Sequence, residues 1–414
     1  MVAKKRPTWK QGFLGLFGKK MDLDSSPVWI AEKNAELERL RGDQDQLEYG
    51  NTAFARFDSQ TEAHAFARLA SSTDKKNRMI STQVEVVPED IEWSNTSMNA
   101  YQRKVRTAIS WALTIGLIII WAIPVAFVGI VSNVDTLCTT APFLAWICTL
   151  PSPVLGIIKG VLPPALLAVL FMLLPIVLRM FVKLQGEILN SQIELKLFSR
   201  YWLFQVIHGF LIVTVASGLV NAMGNFDEFI ASAPTKLATE LPGASIFFLT
   251  YILVQTFGAA AKAYSRAIPT ALFGLRYILG GGTPRKMFAS SFKMDQIKLA
   301  TTWPPLCLII CISIVYSVIQ PIITLLCLVA FILLYAAYKY LLYWVADQPD
   351  MLETGGMFYI RALRTVFVAL YLEGICLAGL FFLSQDANGN QAKSGLACGA
   401  IMVSCDVQSL REPS

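Results

Sequence analysis

The sequence predicts an α-helical protein that crosses a membrane about seven times, preceded by a small soluble α+β piece. Three observations predict it. Of 414 residues, 55% are hydrophobic and only 15% are charged, with a mean hydropathy of +0.52, too apolar for an ordinary soluble domain. Beyond residue 106, long uncharged runs recur, each able to cross a hydrocarbon core of about 30 Å at roughly 1.5 Å per residue. The basic residues behind the net charge of +6 collect in alternate segments between those runs, the pattern of cytosolic loops rather than of a patch for nucleic acid.

The first 103 residues form the soluble part. Residues 1–20 are basic, and their apolar patch at 13–17 is too short for a signal-peptide core or a span. Residues 29–47 are dense in Glu, Arg and Lys, with Ile30, Leu37, Leu40, Gln44 and Leu47 near a helical period, which predicts a charged amphipathic helix. A strand at 52–57, an alanine-rich helix at 60–70 and a strand at 83–87 follow, ending at Pro88-Glu89-Asp90. Together they read as a partial α+β, RRM-like domain. Phe54-Ala55-Arg56-Phe57 resembles an RNA-recognition strand, but a lone aromatic strand reads as structural, and no nucleic-acid partner is expected.

The membrane domain covers 104–385. Its first span is 107–131, in a stretch without charge, followed by 160–182, 201–225 and 242–279. The uncharged stretch 299–338 would make roughly 60 Å of helix, about twice a bilayer core, and must fold into a hairpin. Gln320-Pro321 is the natural bend, giving spans 301–319 and 322–344, and 365–384 completes seven, interrupted only by Glu373. Segments 183–200, 276–298 and 339–364 are rich in Lys and Arg, 132–158 has neither, and 226–241 has only Lys236. The amino-terminal domain is therefore cytosolic, the sequon Asn95-Thr96-Ser97 lies on the wrong side for glycosylation, and 141–150 reads as an interfacial or re-entrant segment outside. Residues 386–414 form a divergent tail.

Enzyme chemistry finds little support. There are two histidines, His64 and His208, and no HExxH, paired CxxC or P-loop pattern, so neither catalysis, a cofactor nor a metal is expected. Cys307, Cys311, Cys327 and Cys376 lie in apolar runs as buried thiols, while Cys138 and Cys148 share one outer loop where pairing is open to them. The glycine-rich 280–285 lacks a Lys-Ser/Thr ending and reads as a turn, and His208 reads as a hydrogen-bonded core residue rather than a proton relay.

Polar groups inside the spans carry more information. Tyr251, Gln255, Gly258, Lys262 and Arg266 are spaced four, three, four and four residues apart, along one helical face. Lys262 lies about 30 Å of helix below Pro242, near the cytosolic boundary, as an inner gate or a contact for lipid phosphate. On 201–225, Thr214, Ser217, Gly218 and Asn221 share a face that Gln205 and His208 do not; both pore lining and ordinary helix packing fit such residues. Gly258 and Pro269 give the 242–279 helix the ingredients of a gating hinge, or of a static kink. Thr214, Ser217, Asn221, Tyr251, Gln255 and Lys262 are the pore-lining candidates.

Several segments read together resemble a known family. Arg6-Pro7-Thr8-Trp9, the run 12–20, Ala53 to Phe57, and Val84 to Asn95 resemble the cytosolic domain of the fungal calcium-permeable stress-gated cation channels. Leu174-Pro175, 249–255, 282–285, 316–323, Tyr338-Lys339-Tyr340 and Glu353-Thr354-Gly355-Gly356 continue the likeness, from Arg6 to about Asp386. That family is similar to the plant hyperosmolality-gated channels and distantly to the anoctamin channels and scramblases. The resemblance implies eleven spans, with the cytosolic domain between the third and fourth, so this chain is expected to begin inside that domain and to be truncated at both ends. It also implies a conduit within each subunit, formed by the five segments from 107 to about 320, with the fourth as gating helix, and a homodimer. Where plant relatives carry an acidic residue, Ala263 stands here beside Lys262, and no carboxylate ring is evident.

The resulting expectation is a mechanically or osmotically gated channel subunit permeable to calcium, potassium and sodium, in contact with membrane lipids of the plasma membrane or an endomembrane. A lipid scramblase or solute transporter of related architecture is the alternative, and a nonfunctional truncated product the third.

Overall fold

The computed structural model describes residues 9–10, 20–21, 24, 26–42, 50–72, 82–121, 173–211, 245, 248–271, 274, 285, 288, 292, 294–348, 353–383 and 397–401. Trp9–Lys10 (β1) pairs antiparallel with Lys20–Met21 (β2). Helix α1, Ser26–Gly42, has Pro27 in its first turn and glycine at its end, the favoured asymmetry for helix termini, and buries none of its residues. Helix α2, Gln60–Ser72, opens on a capping-box sequence, in which Ser59 Oγ accepts the N–H of Glu62 at 3.2 Å.

The soluble piece differs from the expected α+β arrangement. Helix α2 forms, but neither 52–57 nor 83–87 is a strand. The second run is interrupted by Glu85, whose φ of 61° turns the backbone out of the extended region. The first finds side-chain partners instead of a ladder: Thr52 Oγ1 donates to the carbonyl of Thr96 at 2.8 Å, and the Phe54 ring lies 5.7 Å from that of Trp93. The RRM-like reading therefore gains no support among the described residues.

Helix α3, Ala100–Ile120, is followed among the described residues by α4, 173–184, and α5, Asn190–Gln205. α5 begins inside the segment expected to be a cytosolic loop, because 190–205 is not a loop sequence: Ile193, Leu195, Leu197, Phe198, Tyr201, Trp202 and Phe204 alternate at helical spacing and are buried. It runs on into a π-helical turn, Val206–Leu211. Helix α6 covers 248–265, with a short helical piece at 267–271. Helix α7, Leu299–Val315, is joined by a turn to α8, Pro321–Trp344, which starts on its proline. Helix α9, Met357–Leu383, starts eight residues before the expected span, in the basic segment. β3 (Asp295–Gln296) pairs in parallel with β4 (Ala346–Asp347), tying the start of α7 to the end of α8.

Among the described residues, two helices are long and apolar enough to cross a membrane, Pro321–Trp344 and Met357–Phe381. The expected spans at 107–131, 160–182, 201–225 and 242–279 lie partly outside the described residues, and so do Cys138, Cys148 and most of the tail. On α8, Ile322, Leu325, Val329, Ile332 and Tyr335 form an exposed apolar stripe, as a lipid-facing surface requires, while Ile323, Cys327, Ala330, Leu334 and Ala337 pack inward. α7 is the central helix. Its Ala300 and Cys307 join the core built by Leu174, Leu178, Phe198 and Phe204, and its Leu308, Ile309, Cys311, Ile312 and Val315, with Tyr316 just beyond its end, join a second core with Phe210, Phe248, Ile252, Ile323 and Cys376. Cys307, Cys311, Cys327 and Cys376 are buried free thiols, as their apolar surroundings predict.

Candidate functional site

Helix α6 carries the polar stripe. Phe248, Ile252, Thr256 and Ala263 are its buried side, and Phe248 stacks on Phe210 of the π-turn at 5.8 Å and meets the tilted ring of Tyr316, at the end of α7, at 5.2 Å. The stripe is displaced from that side by one residue, roughly 100° around the helix. Tyr251, Gln255 and Gly258 are half-buried, Lys262 is exposed, and Arg266 is half-buried. The stripe thus runs along the margin between packed and open sides. A Cβ built on Gly258 meets nothing within 4 Å, so the helix has open space at this point.

The helix runs unbroken through Gly258 and breaks at Arg266, whose φ is 47°. The cause lies three residues on. Pro269 offers no N–H to the carbonyl of Ser265, four residues back, and its ring clashes there. The backbone turns through a left-handed residue and starts again: Ser265 Oγ accepts the N–H of Ala267 at 3.4 Å, and Thr270 directs both its N–H, at 3.0 Å, and its hydroxyl, at 2.8 Å, to the Arg266 carbonyl. Pro269 is half-buried. Thr214, Ser217 and Asn221 lie outside the described residues.

A second polar group joins α3, α4 and α5, and sequence reasoning missed it. Arg200, only 1% exposed, donates from Nη1 to Ser110 Oγ at 2.8 Å, the Ser110 carbonyl at 3.2 Å and Thr114 Oγ1 at 2.8 Å, and its guanidinium lies 4.6 Å from the ring centre of Trp111. The Ser110 hydroxyl donates in turn to the carbonyl of Phe181 on α4. One level further along, a His208 ring nitrogen meets the carbonyl of Ile118 at 2.8 Å, and the imidazole stacks on Phe204 at 4.3 Å, so His208 is hydrogen-bonded as expected, though half-buried rather than in the core. Arg200 and His208 thus tie α3 to α5 and its π-helical turn at two levels. Arg200 was hidden because a basic residue in a basic segment reads as loop; the apolar neighbours on both sides were the available signal. Glu373, the lone acidic residue in the expected spans, accepts a bond from Ser317 Oγ at 2.8 Å at the α7–α8 turn.

At the base of these helices, Arg179 of α4 pairs with Glu194 of α5 at 2.7 Å, and Lys196 pairs with Glu187. Residues 88–98 lie against the α4–α5 elbow, and Asp90 is 5% exposed. Burial pushes the Asp90 carboxyl above its usual range, opposed by bonds from Ser191 and Asn190 that favour the charged form.

Residues 106–381 match the family described as "Calcium-dependent channel, 7TM region". The chain belongs to this family. Residues 1–95 match the cytosolic domain of ten-transmembrane proteins to which phosphate transport is attributed. The chain is 33% identical to protein RSN1 of Saccharomyces cerevisiae over 92% of its own length and 40% of the relative's. It is 32% identical to Phosphate metabolism protein 7 of the same yeast, over 92% and 39%. It is 27% identical to Hyperosmolality-gated Ca2+ permeable channel 1.8 of Arabidopsis thaliana, over 93% and 47%. The chain spans about two-fifths to a half of the length of these curated relatives. The family is one of channels and transporters rather than enzymes, and places the chain as an integral membrane protein with a cytosolic amino-terminal domain.

Proposed function

We propose that this chain is part of a mechanically or osmotically gated, calcium-permeable cation channel subunit, with a conduit inside the subunit and the broken helix 248–271 as its moving part. The carrying observation is the state of that helix. It is packed along one side, carries a polar margin, and breaks at Arg266 under the influence of Pro269. A helix held on one side can swing without dismantling a core. Tyr251 and Gln255 line the path, Lys262 stands at its inner end, and Thr214, Ser217 and Asn221 contribute from the neighbouring span. Gly258 and Pro269 supply the bending points. The name of the Arabidopsis relative, a hyperosmolality-gated Ca2+ permeable channel, supports the trigger and the ion. Calcium, potassium and sodium are the permeating ions, the bilayer is the immediate partner, and the assembly is a homodimer.

Patch recordings from liposomes holding the chain test this. Gly258→Leu fits the open space and removes the backbone freedom of glycine, so it should shift the tension threshold. An unchanged threshold sinks the hinge. Two observations favour a second reading, movement of lipid or an anionic solute: Lys262 is exposed near the inner end of the stripe, and phosphate appears both in a family description and in a yeast relative's name. Flipping of fluorescent lipid without tension-evoked current would decide for it.

A further inference from the structure

We propose that residues 88–98 are a clamp by which the cytosolic domain sets the first turn of α5, with Asp90 as its positioning residue. The first N–H groups of any helix lack partners within it. α5 has no cap of its own, since Leu189 at the capping position makes no side-chain bond. The cap arrives from 101 residues away: Asp90 Oδ1 accepts the Ser191 N–H at 2.8 Å, and Oδ2 accepts the Ser191 hydroxyl at 2.6 Å. Asn190 Nδ2 returns a bond to the Asp90 carbonyl at 3.1 Å.

The contact continues along the chain. Ile91 forms an antiparallel bridge with Leu189, the Glu92 N–H donates to the Ile188 carbonyl at 2.7 Å, and Asn95 Nδ2 donates to the Glu187 carbonyl at 2.8 Å. Gly186, with φ 79°, completes the fit: a Cβ there would stand 2.4 Å from Met98 Sδ. Asp90, Ile91, Ser191 and Leu189 are all buried. Two residues after Met98, α3 begins, so the same segment holds the base of α3 and the base of α5, the pair that Arg200 and His208 join above. A displacement of the cytosolic domain therefore reaches α5 through its first turn. Because the coupling is thermodynamic, weakening either side of the contact loosens the other.

The structural half of this inference stands without the channel reading; its consequence for gating rests on it. Hydrogen exchange on the full chain in phosphatidylcholine/phosphatidylserine nanodiscs tests the first. Asp90→Ala should speed exchange in peptides covering 188–196 by roughly fivefold, the scale of a lost cap, and Ser191→Ala should speed exchange across 88–98. Asp90→Asn, which keeps an acceptor for the Ser191 N–H, should stay near wild type. Equal exchange in Asp90→Ala and wild type, or equal loss in Asp90→Asn and Asp90→Ala, overturns the clamp. Osmotically evoked cation uptake into liposomes tests the second. A shifted threshold in Asp90→Ala supports the coupling, and an identical threshold overturns it. If wild-type chain takes up no cations, the channel reading falls, while the clamp still stands or falls on the exchange data.

Discussion

Helices α6 and α7 both contain proline, and they respond to it differently. In α7, Pro304 and Pro305 sit inside Leu299–Val315 and the helix continues through them. In α6, Pro269 ends the helix, leaving Arg266 in a left-handed conformation that costs a non-glycine residue about 1–2 kcal/mol. The sequence offers both sites the same chemical fault, a missing N–H and a ring against the preceding turn. Surroundings make the difference. Pro304 is itself buried, and α7 buries residues around its circumference against α5, α8 and α9, so leaving helical geometry there would forfeit packing on every side. α6 has one packed side, and its carboxyl end lies next to exposed Tyr264, Ser265 and Ala267. A proline breaks a helix more readily where burial does not surround it.

Arg200 anchors the tightly held side. Arg200→Ala would leave Ser110 and Thr114 without their donor and open a cavity among α3, α4 and α5, an expected cost of roughly 3 kcal/mol or more. Thermal unfolding in detergent measures it, and a midpoint equal to wild type would remove the tie from the account. Gly186→Ala comes next. It places a Cβ against Met98 at a positive φ, with an expected cost of roughly 1–3 kcal/mol; Met98→Ala in the same background should recover part of it, and no recovery would mean the contact with Met98 is not the cause.

Pro269→Ala should let α6 continue through Arg266, relieving roughly 1–2 kcal/mol of backbone strain. Spin labels on either side of Arg266 would report a straightened distance, whereas an unchanged distance would show that packing and not proline sets the break.

The smallest effect is expected from pH. Asp90 is held above its usual carboxylate range in the folded chain, so the docked form binds the proton more tightly than the unfolded one. Its contribution to stability is complete below about pH 4, the ordinary aspartate value, and is lost as pH rises through the raised value. Exchange at 188–196 should therefore be slower in mild acid than at neutral pH after correction for intrinsic rates, and flat in Asp90→Asn; the opposite slope would refute this assignment.

Part of the fold was legible among the described residues, because long apolar runs and prolines advertise themselves. The bend at Gln320-Pro321, the buried thiols of α7, α8 and α9, and the packed role of His208 follow from uncharged length, one proline and local composition. Arg200 was not legible, since its charge argued for a loop while its neighbours argued for a core, and only the Ser110 and Thr114 oxygens resolve the conflict. The strands at 52–57 and 83–87 failed for a related reason: a strand is defined by a partner, and alternation in a short run cannot supply one.

The polar stripe on α6 divides the same way. The spacing of Tyr251, Gln255, Gly258, Lys262 and Arg266 put them on one face by helical geometry alone, and Pro269 implied an interruption nearby. Tertiary structure decided that the face lies at the margin of the packed side and not within it, and that the break falls at Arg266 and not at Gly258. Periodicity is a property of one helix and can be read from it. Which side of that helix finds neighbours depends on Phe210, Tyr316 and other residues far away in sequence, and their arrangement exists only once the chain has folded.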